Sequence, residues 1–391
     1  MSNDGTMTTT ELLFALLRCE ISGSAEPIEE KALSEGALSE IYAISNTHDV
    51  AHIISSALEN KGVLAKDEIS QKLLNTKFLA IYRSQQLKYA LKEICSVFEK
   101  EKIRFIPLKG SVLKSYYPQE WMRTSCDIDI LVHEVDLKAA AAVLEGELGY
   151  CVKTHTTHDI SLYSPADIHL ELHFNLLEVG RANSAGDILK NVWDYAKLKD
   201  GSDYHCELLD EMFYFYHIAH MAKHFENGGC GIRPFIDLWL LDNRSGVDAA
   251  KRNELLLKGD LLKFADAARK LCRVWLQGEA ADEISVKMEK YVLSGGLYGT
   301  NENRVVVQQQ KKGGKWGYVI SRMFLPYETL KYHYPVLQKH RWLTPVMEVW
   351  RWFKLAFCGH SKRVMSELRY NQSISSEKAA EVKDFLLSIG L

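Results

Sequence analysis

Asp127 and Asp129 stand one residue apart in the apolar run CDIDILV (126–132). In an extended strand, alternate side chains share a face. Both carboxylates therefore point one way, while Ile128, Ile130 and Val132 point the other. Two carboxylates so close raise each other's cost of ionisation. A divalent cation removes that conflict, and Mg²⁺ (or Mn²⁺) takes a few carboxylate oxygens together with substrate phosphates. Glu171 lies in a second period-two run, HLELHF (169–174), with His169 and His173 on its side and Leu170, Leu172 and Phe174 on the other. A carboxylate on a neighbouring strand can complete a metal cluster or take a proton from an attacking hydroxyl. The competing reading is a pair of charged strand faces turned to solvent.

Other residue types near these acids suit an anionic ligand. Lys109, Gly110 and Ser111 join the strand-like RFIPLKG to the helix-like SVLKSYY. Glycine lets backbone approach a phosphate closely, and serine adds a hydroxyl. Lys109 and Arg123 are cations able to neutralise a polyphosphate. His217, His220 and His224 recur at i, i+3 and i+7, which places them on one face of a helix over 207–225. They are read as a polar cleft wall, not a zinc site, because one helix supplies facing ligands poorly. His220 and His224, with His173, are expected within reach of a nucleotide. Arg233 and Asp237, one turn apart, read as a helix-stabilising or cleft-positioning pair.

These residues need elements to position them. The spacing predicts helices from residue 8 to about 100, starting with Thr8 as N-cap and Glu11 three residues on. The last helix should end near Lys102 and carry an apolar stripe that includes Leu74, Phe78, Leu87, Ile94 and Phe98. A block mixing strands (104–110, 126–132, 159–165, 167–176) with helices (111–117, 135–150) follows, arguing for a sheet flanked by helices. Helices resume over 207–225 and 232–243 and continue to about 293. Residues 303–370 hold thirteen Lys or Arg against three Glu and no Asp. QQQKKGGKWG (308–317) reads as an exposed loop. Val346, Val349, Trp350, Phe353 and Phe357 have helical spacing, so this segment is read as helices with tryptophans packed inward, ahead of binding to nucleic acid. The expected regions are 1–102 (helical), 103–182 (catalytic core), 183–295 (helical, the other cleft wall) and 296–391 (basic, aromatic-rich, helical).

Composition bounds the rest. The 391 residues are 47% hydrophobic and 25% charged, with a net charge of -3, a globular profile without a global pull toward nucleic acid or anionic membrane. Eight cysteines include no CxxC pair, which suits free thiols in a reducing compartment. The N-terminus lacks a basic n-region, and no apolar run reaches membrane-spanning length. The cytoplasm is expected, with no membrane partner.

Together, strand, Lys-Gly-Ser, helix, D-x-D strand and third acid resemble the nucleotidyltransferase fold of the DNA polymerase β superfamily. More narrowly, IPLKGSVLKSYYP, the later Arg, DIDILV and LELHF resemble a bacterial family of uncharacterised nucleotidyltransferases, whose members carry L-K-G in place of the usual G-G-S or G-S. HIAHMAKHF and IRPFIDL are similar to the motifs that follow that family's catalytic block, so the resemblance covers about 70–245. It implies an α+β fold, a polymerase β-like core with a small mixed sheet embedded in N- and C-terminal helical regions. It also implies that Gly110 and Ser111 hold nucleotide phosphates and that Asp127, Asp129 and Glu171 bind Mg²⁺ and carry catalysis. The implied reaction moves a nucleotidyl group from an NTP, ATP first among them, to a hydroxyl of a small molecule, peptide, protein or RNA, releasing pyrophosphate. Alternatives are an inactive nucleotide-binding or RNA-binding, antitoxin-like protein on the same fold, and phosphoryl transfer from the same site. The gap between Ser111 and Asp127 is longer than in most of the superfamily.

Overall fold

The computed structural model describes residues 7–24, 28, 33–176, 184–297, 299–357 and 375–391. The expected boundary at 182/183 and the end of the basic segment (358–370) lie outside the described residues.

The chain opens with α1 (Thr9–Ile21), α2 (Glu35–Thr47), α3 (Ala51–Asn60) and α4 (Glu68–Lys100). α1 starts as expected: the Thr8 side chain accepts from the Glu11 N–H while Glu11 returns a bond to the Thr8 backbone, closing a capping box. Asp67 caps α4 by accepting from the Ser70 N–H at 2.8 Å. On α4, Leu87, Ala90, Ile94 and Phe98 are buried, but Phe78 is exposed along with Leu79, Tyr82 and Tyr89. Part of the expected apolar stripe therefore meets solvent.

A five-stranded sheet follows, built from β1 (Phe105–Pro107), β2 (Asp127–Val132), β3 (Cys151–His155), β4 (Asp159–Tyr163) and β5 (His169–His173). Its order is β1-β2-β5-β4-β3. β2 and β5 run parallel, with Asp127 opposite His169 and Asp129 opposite Glu171; the other neighbours are antiparallel. α5 (Gly110–Leu113) leads out of β1, and α6 (Leu137–Leu148) ends at Gly149 in the left-handed conformation, the usual role of glycine past a helix end. Ile128, Ile130 and Val132 share a core with Phe98, Ala140 and Leu144, contributed by α4 and α6. Leu131, on the aspartate face, belongs instead to the larger helical core. The sheet thus has α4 and α6 behind it and its acids turned toward the helical body.

That body contains α7 (Ser184–Lys190), a hairpin of β6 (Ala196–Leu198) and β7 (Cys206–Leu208), then α8 (Asp210–Phe225), α9 (Arg233–Asp242), α10 (Ala249–Lys258), α11 (Leu262–Gln277) and α12 (Glu283–Leu293). One continuous core joins it to α1–α3: Phe14 stacks on Trp275 at 4.4 Å between ring centroids. Beyond lie α13 (Asn301–Lys311), α14 (Lys315–Met323), α15 (Tyr327–His333), α16 (Val336–Lys339) and α17 (Thr344–Phe357), then a last helix, Ser376–Ser388. Two expectations are corrected here. Residues 308–317 are mostly the end of α13 and the start of α14, with a turn only at 312–314. Trp316, Trp342 and Trp350 are exposed, not packed inward.

Burial also sets the acid response. His48, at the end of α2, is 1% exposed, and burial pushes its pKa down to about 4 against the hydrogen bond it donates to the Leu293 carbonyl. Unfolded histidine titrates near 6.5. Between those values the unfolded state binds the extra proton, so stability falls as pH falls. The loss from His48 should approach about 3 kcal/mol below pH 4. Burial lowers His52 and His217 as well, with the same sign. Urea midpoints measured across this range check it, and His48→Gln should flatten the profile.

Candidate active site

Asp129 is the hub of the acidic face and is 3% exposed. Its Oδ1 accepts from Lys109 Nζ at 2.7 Å and from His173 Nε2 at 2.8 Å. The same His173 nitrogen lies 3.4 Å from Glu171 Oε2. The Ser125 hydroxyl lies 3.0 Å from Asp127 Oδ1 and 2.9 Å from the Asp127 carbonyl oxygen, both acceptors. These contacts follow from the register: parallel pairing of β2 with β5 sets Asp129 beside Glu171, and period two keeps Asp127 and His173 on the same face.

The three acids differ electrostatically. Burial raises the Asp127 pKa, and the charges of Asp129 and Glu171 raise it further, against Lys109 and Ser125. Burial also disfavours ionised Asp129, but the Lys109 charge and the His173 bond overcome this and hold its carboxyl well below the usual range. The His173 hydrogen bond lowers Glu171 despite burial. For His173, burial opposes the charge, yet the bonds to Asp129 and Glu171 raise its pKa.

Lys109 is where the backbone departs from the expectation. It adopts φ 43°, ψ -121°, a conformation that costs a side-chain-bearing residue about 1–3 kcal/mol. Backbone bonds on both sides impose it: the Leu108 N–H donates to the Asp129 carbonyl at 2.9 Å, and the Leu113 N–H donates to the Lys109 carbonyl at 2.9 Å. The strained turn aims the lysine into the acidic cluster. Gly110 has a separate reason to be glycine. A Cβ there would meet Ser125 Oγ at 3.0 Å, pressing on the donor that serves Asp127.

A cavity of about 350 Å³ separates the sheet from the helical body. Lys109, Gly110, Asp127, Asp129, Glu171 and His173 line one side; His217, His220, Lys223 and His224 of α8 and Arg233 of α9 line the other. The expected His wall is thus in place. His217 donates to the Pro234 carbonyl at 3.0 Å, and the His220 and His224 rings meet edge to face at 4.5 Å. Burial, with the charges of Lys109 and His224, pushes the His220 pKa well down. The α8 histidines form no metal-ligand group among the described residues.

Of the expected phosphate residues, Ser111 sits elsewhere and Arg123 is engaged by another partner. Ser111 lines two other hollows behind the turn and not this cavity. Arg123 reaches the cavity edge, but its Nε donates to both carboxylate oxygens of Asp237, at 2.7 and 3.0 Å. The Tyr117 hydroxyl donates to the same carboxylate at 2.7 Å. Arg233 does not pair with Asp237; it binds Asp49 and donates to Thr124 Oγ1 at 3.2 Å. His52 donates to the Met122 carbonyl at 2.8 Å. The long stretch between Ser111 and Asp127 is therefore strapped to α3, α9 and the α2–α3 turn, which fixes Ser125 beneath Asp127. Sequence reasoning missed Ser125, Tyr216, Lys223 and the pair His158–Asp159, all of which line the cavity. Only Ser125, two residues before the D-x-D, carried a local signal.

Among the described residues, two groups bring metal-ligating atoms within 4.8 Å of one another: Asp127, His169, Glu171 and Asp129, Glu171, His173. Their carboxylate oxygens suit a hard cation such as Mg²⁺ or Mn²⁺. Residues 34–277 match the family described as uncharacterised nucleotidyltransferase. The chain belongs to that family. It is a nucleotidyltransferase, a transferase by class. The match extends beyond the 70–245 covered by the motifs, into α2 and α11, in keeping with the single core that joins the N-terminal helices to α8–α11. Comparison with curated proteins and with solved structures gave no match.

Ser125→Ala tests the strap. Removing the hydroxyl beside Asp127 should weaken Mn²⁺ binding by about tenfold, measured by electron paramagnetic resonance titration, with little change in the thermal midpoint.

Proposed function

We propose that the protein uses Mg²⁺, or Mn²⁺, to transfer a nucleotidyl group from an NTP, ATP first among them, to an acceptor hydroxyl, with release of pyrophosphate. The observation that carries this reading is the convergence of Asp127, Asp129 and Glu171 beside the Lys109–Gly110 turn, in a cavity whose far wall carries Lys223, Arg233 and the α8 histidines. The three carboxylates would hold the divalent ion, which when bound neutralises phosphate charge and favours the ionised acceptor. Lys109 would pass from Asp129 to the nucleotide phosphates. His220 and His224 contact the nucleotide from α8, while Arg123 and His173 act by positioning the loop and the acids.

The acceptor oxygen attacks the α-phosphorus, and the bond from that phosphorus to the bridging oxygen of the β-phosphate breaks. Pyrophosphate leaves, and the acceptor proton passes to Glu171, which is more exposed than Asp129. Holding the reactants in line and stabilising charge account for most of the rate in such transfers.

Incubation with labelled NTPs, Mg²⁺ and a cell extract tests the reading. The expected result is label on an acceptor, lost with chelator and in Asp127→Asn/Asp129→Asn. Transfer undiminished in that double variant, or none with any NTP, would sink it.

A further inference from the structure

Two helices of the basic segment share a pattern that the nucleotide site does not use. On α14, Trp316 (81% exposed), Ile320 and Met323 meet solvent, with Val319 half-buried between them. On α17, Val346, Val349, Trp350 and Phe353 are each about half exposed or more. Both sets follow i, i+3, i+4, i+7 spacing, so each forms one stripe along its helix.

The stripes are not the faces by which these helices pack. Tyr318, on the other side of α14, is buried. Glu348, Arg351 and Trp352 on the other side of α17 grip the end of α14: Glu348 accepts from the Leu325 N–H at 2.6 Å, and Trp352 Nε1 donates to the Met323 carbonyl at 2.6 Å. Phe324 meets Trp352 edge to face at 5.2 Å.

Cations are frequent along the segment that carries the stripes. Residues 303–357 contain ten Lys or Arg, two Glu and no Asp, in a chain whose net charge is -3. Glu348 is buried and bound to Arg351. Exposed apolar stripes flanked by Lys and Arg, with tryptophan among the apolar residues, are what a helix lying in a membrane interface requires. None of the described helices is long and apolar enough to cross a bilayer.

We propose that α14 and α17 dock the protein on an anionic lipid surface, stripes at headgroup level and cations toward lipid phosphates. Pairing this face with the same face of a second copy would set like charges together. Nucleic acid would engage the cations and the tryptophans but leave Val346, Val349, Ile320 and Met323 without a role. An acidic bilayer satisfies both features at once, and this proposal departs from the sequence-based expectation of no membrane partner.

Vesicle co-sedimentation of the full chain tests this. The probes are phosphatidylcholine alone and phosphatidylcholine mixed equally with phosphatidylglycerol. Partitioning should be at least about tenfold greater on the mixed vesicles at low salt and fall back at high salt. Trp316→Ser/Ile320→Ser and Val349→Ser/Trp350→Ser should each lower it by about tenfold, while their thermal midpoints stay near the parent's. Equal binding to both vesicle types, or none at low salt, overturns the proposal. So does binding of single-stranded RNA in place of vesicles, or a stable dimer that ignores vesicles and dissociates in the stripe variants.

Discussion

Asp129→Asn is expected to lower nucleotidyl transfer by about 10³-fold, the largest loss of any single substitution in the site. Asparagine keeps the shape of the side chain and removes its charge. That charge holds Lys109 at 2.7 Å and His173 at 2.8 Å, so one substitution releases both positioned groups as well as an oxygen of a candidate metal-ligand group. Leaving Lys109 beside the remaining acids without its closest partner should also cost roughly 2–4 kcal/mol of stability. Glu171→Gln provides the contrast. Glu171 is more exposed and is not bonded to Lys109, so its loss should reduce transfer with a smaller change in the urea midpoint. A rate loss without any stability loss in Asp129→Asn would mean that Lys109 does not depend on Asp129.

Arg123→Met should destabilise the protein by about 3–5 kcal/mol, the cost of leaving a buried carboxylate without its ionic partner. The Asp237 side chain is 1% exposed and would keep only the Tyr117 hydroxyl. Because Arg123 also braces the loop that carries Ser125, transfer should fall even where the variant remains folded. Asp237→Asn should produce a similar loss, and the double variant should cost less than the sum, since the two charges act as one unit. Urea denaturation of the four proteins measures it. If Arg123 served mainly as a phosphate ligand, Arg123→Met would instead weaken nucleotide binding and leave the midpoint near that of the parent.

The acids were legible because strand geometry is local. Period two alone placed Asp127, Asp129, Glu171 and His173 on shared faces, and the structure brings them into register. The helix carrying His217, His220 and His224 was legible for the same reason at period 3.6. What escaped was set by contacts distant in sequence. Arg123 is tied to a residue 114 positions away, and nothing near it in the chain marks that pairing. Ser111 follows a glycine in the expected way, yet the turn directs it away from the acidic cavity and aims Lys109 there instead. β3 was missed because all five of its residues are exposed, so CVKTH lacks the apolar alternation that marks a half-buried strand. β6 and β7 are three residues each, too short to show a period. The tryptophans of α14 and α17 have core-like spacing, but spacing cannot say whether a stripe finds a partner.

The most direct test of the account is anomalous diffraction from crystals soaked with Mn²⁺ and a non-hydrolysable ATP analogue. The expected result is an anomalous peak ligated by carboxylate oxygens of Asp127, Asp129 and Glu171 and by the nucleotide phosphates, with Lys109 Nζ moved from Asp129 onto a phosphate. Nucleotide bound with no peak at these carboxylates, or a peak held by other residues, would contradict it.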